Sequence, residues 1–532
     1  MEEDNITRIG KIKRWLKKPE NLMISLIFIG LILYRFYYFI LTRNQPVWWD
    51  ESEYLAAAKN YAGIVKYELG SQRLPGFPLL ISIFYTFGIK DEIILKFFVS
   101  FIPSLIAIFL LYICIKELYE DRRIAIISTL IFGVLWEHVF YSNRFHTENL
   151  SLIFEFLAIY FIAKININGK KIWKIGRKMS IIPVVLLSLI SFFIRPGNFY
   201  FIPAIIGFWI IFMFSGGFKK KRTYLFLISF VILAVLLPTT LEKVIPSQKD
   251  RQGLLSYYHP ENPIAWNVLD VFRGFYESIN SIPNVLYLCF LFGVLFILGE
   301  TYIFLNKTNR DEKEERILKS NLLNLLIIFV TLYLSIFINR FTSIEYRWFF
   351  PLIIPFLTIT SKGLISFSDN VGIFIHKKAP LFLIILILGL GLYNQVIHGD
   401  TIVRTKLNSY SQVRESAIWM KENSLKEDLI ISASYPQQTY YSERKVIPYS
   451  LISEENESLF EEFIKKSRPR FLVVSIFERM PSWVYGWLEK NKDWVYPVKA
   501  YYLDENKQQL ALVIYEFDYS KNESKALKDL IR

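Results

Sequence analysis

The sequence predicts an α-helical polytopic membrane protein with a C-terminal α/β domain outside the bilayer. Three observations predict it. Hydrophobic residues make up 53% of the 532 residues, aromatics 17% and charged residues only 21%, and mean hydropathy is +0.31. Soluble proteins carry about 25% charged and about 45–50% apolar residues, so water is the wrong solvent for this excess of Phe, Ile, Leu and Tyr. Apolar runs of bilayer-spanning length recur as far as residue 397, and from Gly399 onward the composition turns polar. A soluble enzyme, a disordered chain and a disulfide scaffold are excluded. Cys114 and Cys289 both sit inside apolar runs and read as packing residues.

A helix crossing a hydrocarbon core of about 30 Å needs roughly 20 apolar residues. Eleven segments qualify: 22–41, 95–116, 124–141, 149–166, 180–194, 199–214, 223–241, 284–305, 320–339, 348–365 and 379–397. The first is long enough to stay in the membrane rather than act as a cleaved signal. The segment at 180–194 is short and is counted because orientation fails without it. Pro78 to Ile89 is shorter still and reads as a helix lying in the interface.

Charge tests this count independently, because cytoplasmic loops are enriched in Lys and Arg. With the N-terminus cytoplasmic, Lys11 to Lys18, Arg122–Arg123, Lys170 to Lys178, Lys219 to Arg222, Lys307 to Lys319 and Lys377–Lys378 all fall on one side. The formal charge of +14 is thereby explained by membrane orientation, with no need for a nucleic-acid partner. Four stretches fall outside: 42–94, 142–148, 242–283 and 340–347. Residues 1–398 form the transmembrane domain and 399–532 the outer one. In that tail, helix-period segments (412–422, 458–466, 481–490) alternate with strand-like runs (428–434, 470–476, 494–502, 509–517), the pattern of a small α/β domain.

The outer stretches carry the chemistry. Trp48-Trp49-Asp50-Glu51-Ser52-Glu53-Tyr54 follows the first span, then Arg73-Leu74-Pro75-Gly76-Phe77-Pro78. Asn143-Arg144-Phe145-His146-Thr147-Glu148 places Glu148 at the mouth of a span, and Arg195-Pro196-Gly197 and Arg347-Trp348-Phe349-Phe350-Pro351 follow. Arg43, Arg144 and Arg340 read as arginines snorkelling to headgroups, and Glu53 and Glu68 as solvated. The 242–283 loop is long enough for a lid or acceptor wall.

This set of motifs resembles the GT-C glycosyltransferases, and most closely the branch with the protein O-mannosyltransferases and the lipid A aminoarabinose transferase. The likeness covers roughly residues 20 to 365. It implies a GT-C-like helical bundle that takes a sugar from a polyprenyl (dolichyl or undecaprenyl) monophosphate and passes it to an acceptor hydroxyl on the outer face, with inversion. Chemically, an alcohol nucleophile needs a carboxylate to accept its proton, and the departing lipid phosphate needs cations. The resemblance assigns Asp50 as general base, Glu51 as the neighbour that orients it, and Glu148 as the second acidic position. Arg73, Arg347 and Arg195 are the candidates for the donor phosphate. Tyr54, Trp49 and His146 are weaker candidates for the sugar pocket.

Some members of the resembled family use a divalent metal and others do not; Glu51, Glu148 and His146 form no metal signature in sequence, and no metal ligand is assigned. The rival readings are a transporter or flippase of lipid-linked sugars and a non-catalytic assembly partner. Transporters show internal repeats and midplane charges, and neither is evident. The identity of the sugar stays open, as does an acceptor among protein, glycan and lipid. Few cysteines and an Ile-, Lys- and Phe-rich composition point to a prokaryotic cytoplasmic membrane.

Overall fold

The computed structural model describes residues 16–70, 73–172, 175–214, 284–338, 350–452 and 456–521. The predicted span 223–241 and the outer stretches 242–283 and 340–347 lie outside them. The chain divides into two compact units. The first comprises residues 1–42, 71–76 and 96–404, and the second residues 43–70, 77–95 and 405–532.

The first unit is a helical bundle. Helix α1 is Pro19–Thr42, and α2 (Trp49–Tyr61) and α3 (Gly76–Thr86) belong mainly to the second unit. Then come α4 (Glu92–Lys96), a π turn over Phe97–Phe101 and α5 (Ile102–Tyr119), together a 28-residue apolar span. The bundle continues with α6 (Arg122–Val134), α7 (Trp136–Ser142), α8 (Glu148–Phe161), α9 (Ile181–Ile194) and α10 (Phe201–Phe214). It closes with α11 (Asn284–Asn306), α12 (Glu312–Ile338), α13 (Ile353–Ile375) and α14 (Ala379–Thr405). Among the described residues six helices are long and apolar enough to cross a membrane, or seven if a bent pair counts as one. The protein is thus a multi-pass membrane protein. The helices at 181–194 and 201–214 are shorter than that length, and the expected total of eleven is not reached among the described residues.

One predicted span is broken. The run 124–141 forms α6 and α7, bent by 57° at Leu135. Arg35 of α1, fully buried, fills the break and donates to the carbonyls of Phe132 (3.2 Å), Gly133 (3.0 Å) and His138 (2.7 Å). The Phe132 and Gly133 carbonyls, which the bend releases from the helix ladder, are thereby satisfied by one guanidinium, as a lipid-embedded backbone requires. Lys96 plays a similar part at the end of α1, donating to the Thr42 carbonyl at 3.0 Å.

Glycines set the closest helix approach. A Cβ on Gly363 of α13 would lie 2.0 Å from the Cys289 carbonyl of α11, and one on Gly293 would lie 2.1 Å from the Ile359 carbonyl. Small residues facing each other let two spans pack backbone to backbone. At one end of the bundle the basic turns are tied together by Arg122–Glu20, Arg123–Asp369, Lys170–Glu120 and Arg316–Glu120 ion pairs.

In the second unit α15 (Ser411–Glu422) precedes β1 (Leu429–Ser432), α16 (Tyr435–Ser442), β2 (Lys445–Ile447), α17 (Tyr449–Ile452) and α18 (Glu457–Ser467). Strand β3 (Phe471–Ser475), α19 (Val484–Lys490), β4 (Val495–Tyr502) and β5 (Leu510–Phe517) complete it. The sheet order is β2-β1-β3-β5-β4, parallel from β2 to β3 and antiparallel through β5 and β4. Ile431, Leu472 and Val474 point to one apolar layer, Ile430, Phe471 and Val473 to the other. Burial on both faces explains the unbroken apolar runs Leu429 to Ile431 and Phe471 to Val474.

Candidate active site

The candidate residues divide between the two units. In the first, α8 begins at Glu148, whose side chain is 3% exposed. Glu148 stands between His146 (Nδ1 to Oε2, 3.7 Å) and Arg195 (Nε to Oε1, 3.7 Å). Arg195 follows the end of α9 and donates to Asn198 Oδ1 at 3.3 Å, with its guanidinium 5.1 Å from the centre of the Phe350 ring. Asn198 in turn donates to Ser191 Oγ (2.7 Å), and Ser191 donates to the Ser151 carbonyl (3.0 Å) and towards Glu155 (3.5 Å). His138 stacks on Phe350 with ring centroids 4.7 Å apart. A buried carboxylate flanked by imidazole and guanidinium makes a charged pocket within the bundle, an arrangement typical of functional sites in membranes.

Glu148, His146 and Arg195, all candidates from the sequence, are brought together by the fold. Glu155, Ser191, Asn198 and His138 stand beside them without having been candidates. Glu155 lies seven residues beyond Glu148, on the same helix face, so a lone carboxylate within the span 149–166 was the available signal. Arg144 is 1% exposed and lies 5.3 Å over the Phe140 ring, so it is a buried side chain and does not snorkel.

The Arg73 motif reaches the Arg195 motif through backbone. A Cβ on Gly76 would lie 2.5 Å from the Phe193 carbonyl, two residues before Arg195. Arg73 itself is half-buried. Arg347 lies outside the described residues.

In the second unit, Trp49, Asp50, Glu51 and Tyr54 all ride on α2. Asp50 is half-buried in the first turn, where the helix dipole favours a carboxylate. Glu51 is 2% exposed, and its Oε2 accepts from the Trp48 backbone N–H at 2.7 Å. It therefore closes the helix start as the reciprocal half of a capping box does. Glu53 is 7% exposed and Tyr54 packs edge-on to Phe77 at 5.3 Å, so Glu53 is not the solvated residue expected.

Helix α16 clamps α2. Trp49 and Tyr67 both meet the Tyr435 ring (5.4 and 6.0 Å), and the Val47 N–H donates to the Tyr441 hydroxyl at 2.9 Å. Lys59, at the far end of α2, donates to the Tyr440 carbonyl (2.9 Å) and pairs with Glu443 (2.7 Å). Burial pushes the Glu443 carboxyl up, but the ammonium groups of Lys421 and Lys59 outweigh it and hold the pKa down at about 2. Neither α16 nor β2 is foreseen from the sequence, since Tyr-Pro-Gln-Gln-Thr-Tyr-Tyr-Ser lacks apolar periodicity.

Among the described residues no three His, Cys, Asp or Glu side chains converge in a way that would hold a metal ion. None of these residues is assigned to one.

No protein-family model matches the chain, and no curated protein matches it by sequence. Solved structures do match. ArnT from Cupriavidus metallidurans in the apo state superposes with a TM-score of 0.56 at 9% identity, covering 93% of this chain and 98% of that one. The same protein bound to undecaprenyl phosphate gives 0.52 at 10%, covering 92% and 97%. The archaeal oligosaccharyltransferase AglB from Archaeoglobus fulgidus, in complex with an inhibitory peptide and a dolichol-phosphate, gives 0.52 at 14%, covering 94% and 74%. At such identities the likeness is one of fold alone: the chain shares the fold of ArnT and of AglB.

Proposed function

We propose that this chain is a glycosyltransferase that moves a sugar from a polyprenyl monophosphate carrier to an acceptor hydroxyl, with inversion, at the outer face of the cytoplasmic membrane. The observation that carries the reading is the fold, shared with structures that hold undecaprenyl phosphate in one case and dolichol-phosphate in another. The Glu148–Arg195–His146 cluster adds support from this chain's own residues.

In the reaction the acceptor oxygen attacks the anomeric carbon. The bond from that carbon to the phosphate oxygen breaks, and its electron pair leaves with the polyprenyl phosphate. The proton of the acceptor passes to a carboxylate, for which Asp50 is the candidate, with Glu51 holding the turn on which Asp50 sits. Arg73, Arg195 and Arg347 supply positive charge to the leaving phosphate, and Glu148 positions the acceptor. Residues 1–398 form the transmembrane catalytic domain in this reading and 399–532 the extracytoplasmic one.

The test uses purified protein, a panel of polyprenyl-phosphate sugars and a cell-envelope acceptor extract, with Asp50→Asn alongside. Sugar transfer by the wild type that falls by at least about 100-fold in the variant is the expected result. Transfer that survives Asp50→Asn moves the base elsewhere. No transfer from any donor by folded protein favours a transporter or an assembly partner.

A further inference from the structure

Helices α1 and α5 leave between them a groove of about 460 Å³. Its wall on α1 runs from Asn21 to Ile32 and on α5 from Leu105 to Lys116. Over each wall the helix rises about 16 Å, roughly half of a hydrocarbon core about 30 Å thick. The groove therefore has the depth of one leaflet.

Its floor is apolar. Phe28 stands edge-on to Phe109 and to Tyr112, with centroids 5.9 and 5.7 Å apart. Ile29, Ile32 and Phe109 are exposed along its lips, so it opens sideways, where the bilayer lies. One end is different. Lys116 and Arg122 stand there, and exposed Lys17 and Lys18 directly precede α1. Arg122 pairs with Glu20, and Arg123 is engaged by Asp121 and Asp369. Lys116 makes no ion pair among the described residues and is exposed.

We infer that this groove binds an anionic phospholipid, with an acyl chain lying along α1 and α5 and the phosphate held by Lys116. Charge complementarity selects the occupant. An apolar slot one leaflet deep that ends in an uncommitted ammonium fits a chain with a negative headgroup. A zwitterionic lipid fills the slot equally well but brings no net charge to Lys116. The inference concerns the first unit alone and does not depend on the glycosyl-transfer reading.

The full chain, purified and exchanged into an equal mixture of phosphatidylglycerol and phosphatidylcholine, would be examined by native mass spectrometry for retained lipid. Preferential retention of one phosphatidylglycerol is expected. Lys116→Gln should lower that preference by about fivefold, the effect of one lysine at an anionic lipid surface. Ile32→Trp at the lip should expel the lipid, whereas Lys378→Gln, an exposed basic residue of another turn, should change nothing. These substitutions are at exposed positions, and melting temperature checks that each variant is folded. Equal retention of the two lipids overturns the inference, as does a preference unchanged in Lys116→Gln. So does the same loss in Lys378→Gln, an occupancy untouched by Ile32→Trp, or displacement of phosphatidylglycerol by equimolar polyprenyl phosphate.

Discussion

Gly76 packs its Cα against the carbonyl of Phe193, so closely that a Cβ there would lie 2.5 Å from that oxygen. Two motifs more than a hundred residues apart meet at this point, one beginning at Arg73 and the other at Arg195. Backbone cannot yield as a flexible side chain can. Gly76→Ala should therefore destabilise the protein by about 1–3 kcal/mol, the usual cost of overpacking, and lower sugar transfer. Gly30→Ala is the control, since a Cβ there meets open space. Equal melting temperatures for the two variants would show that the close approach is unimportant.

Asp50 and Glu51 are neighbours with separable roles. Glu51 accepts from the Trp48 N–H, so Glu51→Ala should cost about 1 kcal/mol, as removal of a helix cap does. Glu51→Gln keeps an acceptor oxygen and should recover most of that stability and most of the activity. Asp50→Asn should cost no more than the about 0.3–1 kcal/mol that the helix dipole gives a first-turn carboxylate, while cutting the turnover number about 10²–10⁴-fold. If Glu51→Gln is as inactive as Asp50→Asn, the Glu51 charge takes part in the chemistry.

Glu148 and Arg195 should be energetically coupled. Contacting residues in one charge network show coupling of about 0.5–3 kcal/mol in double-mutant cycles. Thermal unfolding of Glu148→Gln, Arg195→Gln and the double variant measures it. A coupling of zero would mean that the 3.7 Å approach contributes nothing to the fold. Arg195→Gln should also weaken retention of polyprenyl phosphate, and unchanged retention would remove Arg195 from the phosphate site.

The Lys59–Glu443 clamp should be acid-sensitive. Glu443 has a folded pKa held down at about 2, below the unfolded value of about 4.3. A depressed carboxyl adds stability that is present above the unfolded value and is lost as pH falls through the folded one. Intrinsic tryptophan fluorescence should therefore report loosening of the second unit between about pH 4 and pH 2. Glu443→Gln should remove that stretch of the titration. An unaltered acid profile in the variant would assign the sensitivity to another group.

Much of the fold was legible. Span composition marks α1, the α4–α5 run, α8, α11, α13 and α14, because a lipid-embedded helix must be apolar along its length. The strands β1, β3, β4 and β5 were readable from apolar runs bounded by turns. Clustering of carboxylates and arginines in the predicted outer stretches marked Asp50, Glu148 and Arg195 as candidates.

What remained hidden depends on partners far away in the chain. The bend at Leu135 has no proline to announce it; it is stabilised by Arg35, about a hundred residues earlier. Helix α16 has no apolar period, since nearly all of its residues are buried against other parts of the second unit. Composition and hydropathy determined by themselves that this is a multi-pass membrane protein with an α/β tail, because burial in lipid constrains every residue of a span. Tertiary structure alone decided that Glu148 lies against Arg195 and that α16 holds α2. Such contacts are made by single side chains between distant segments, and the local sequence carries no signal for them.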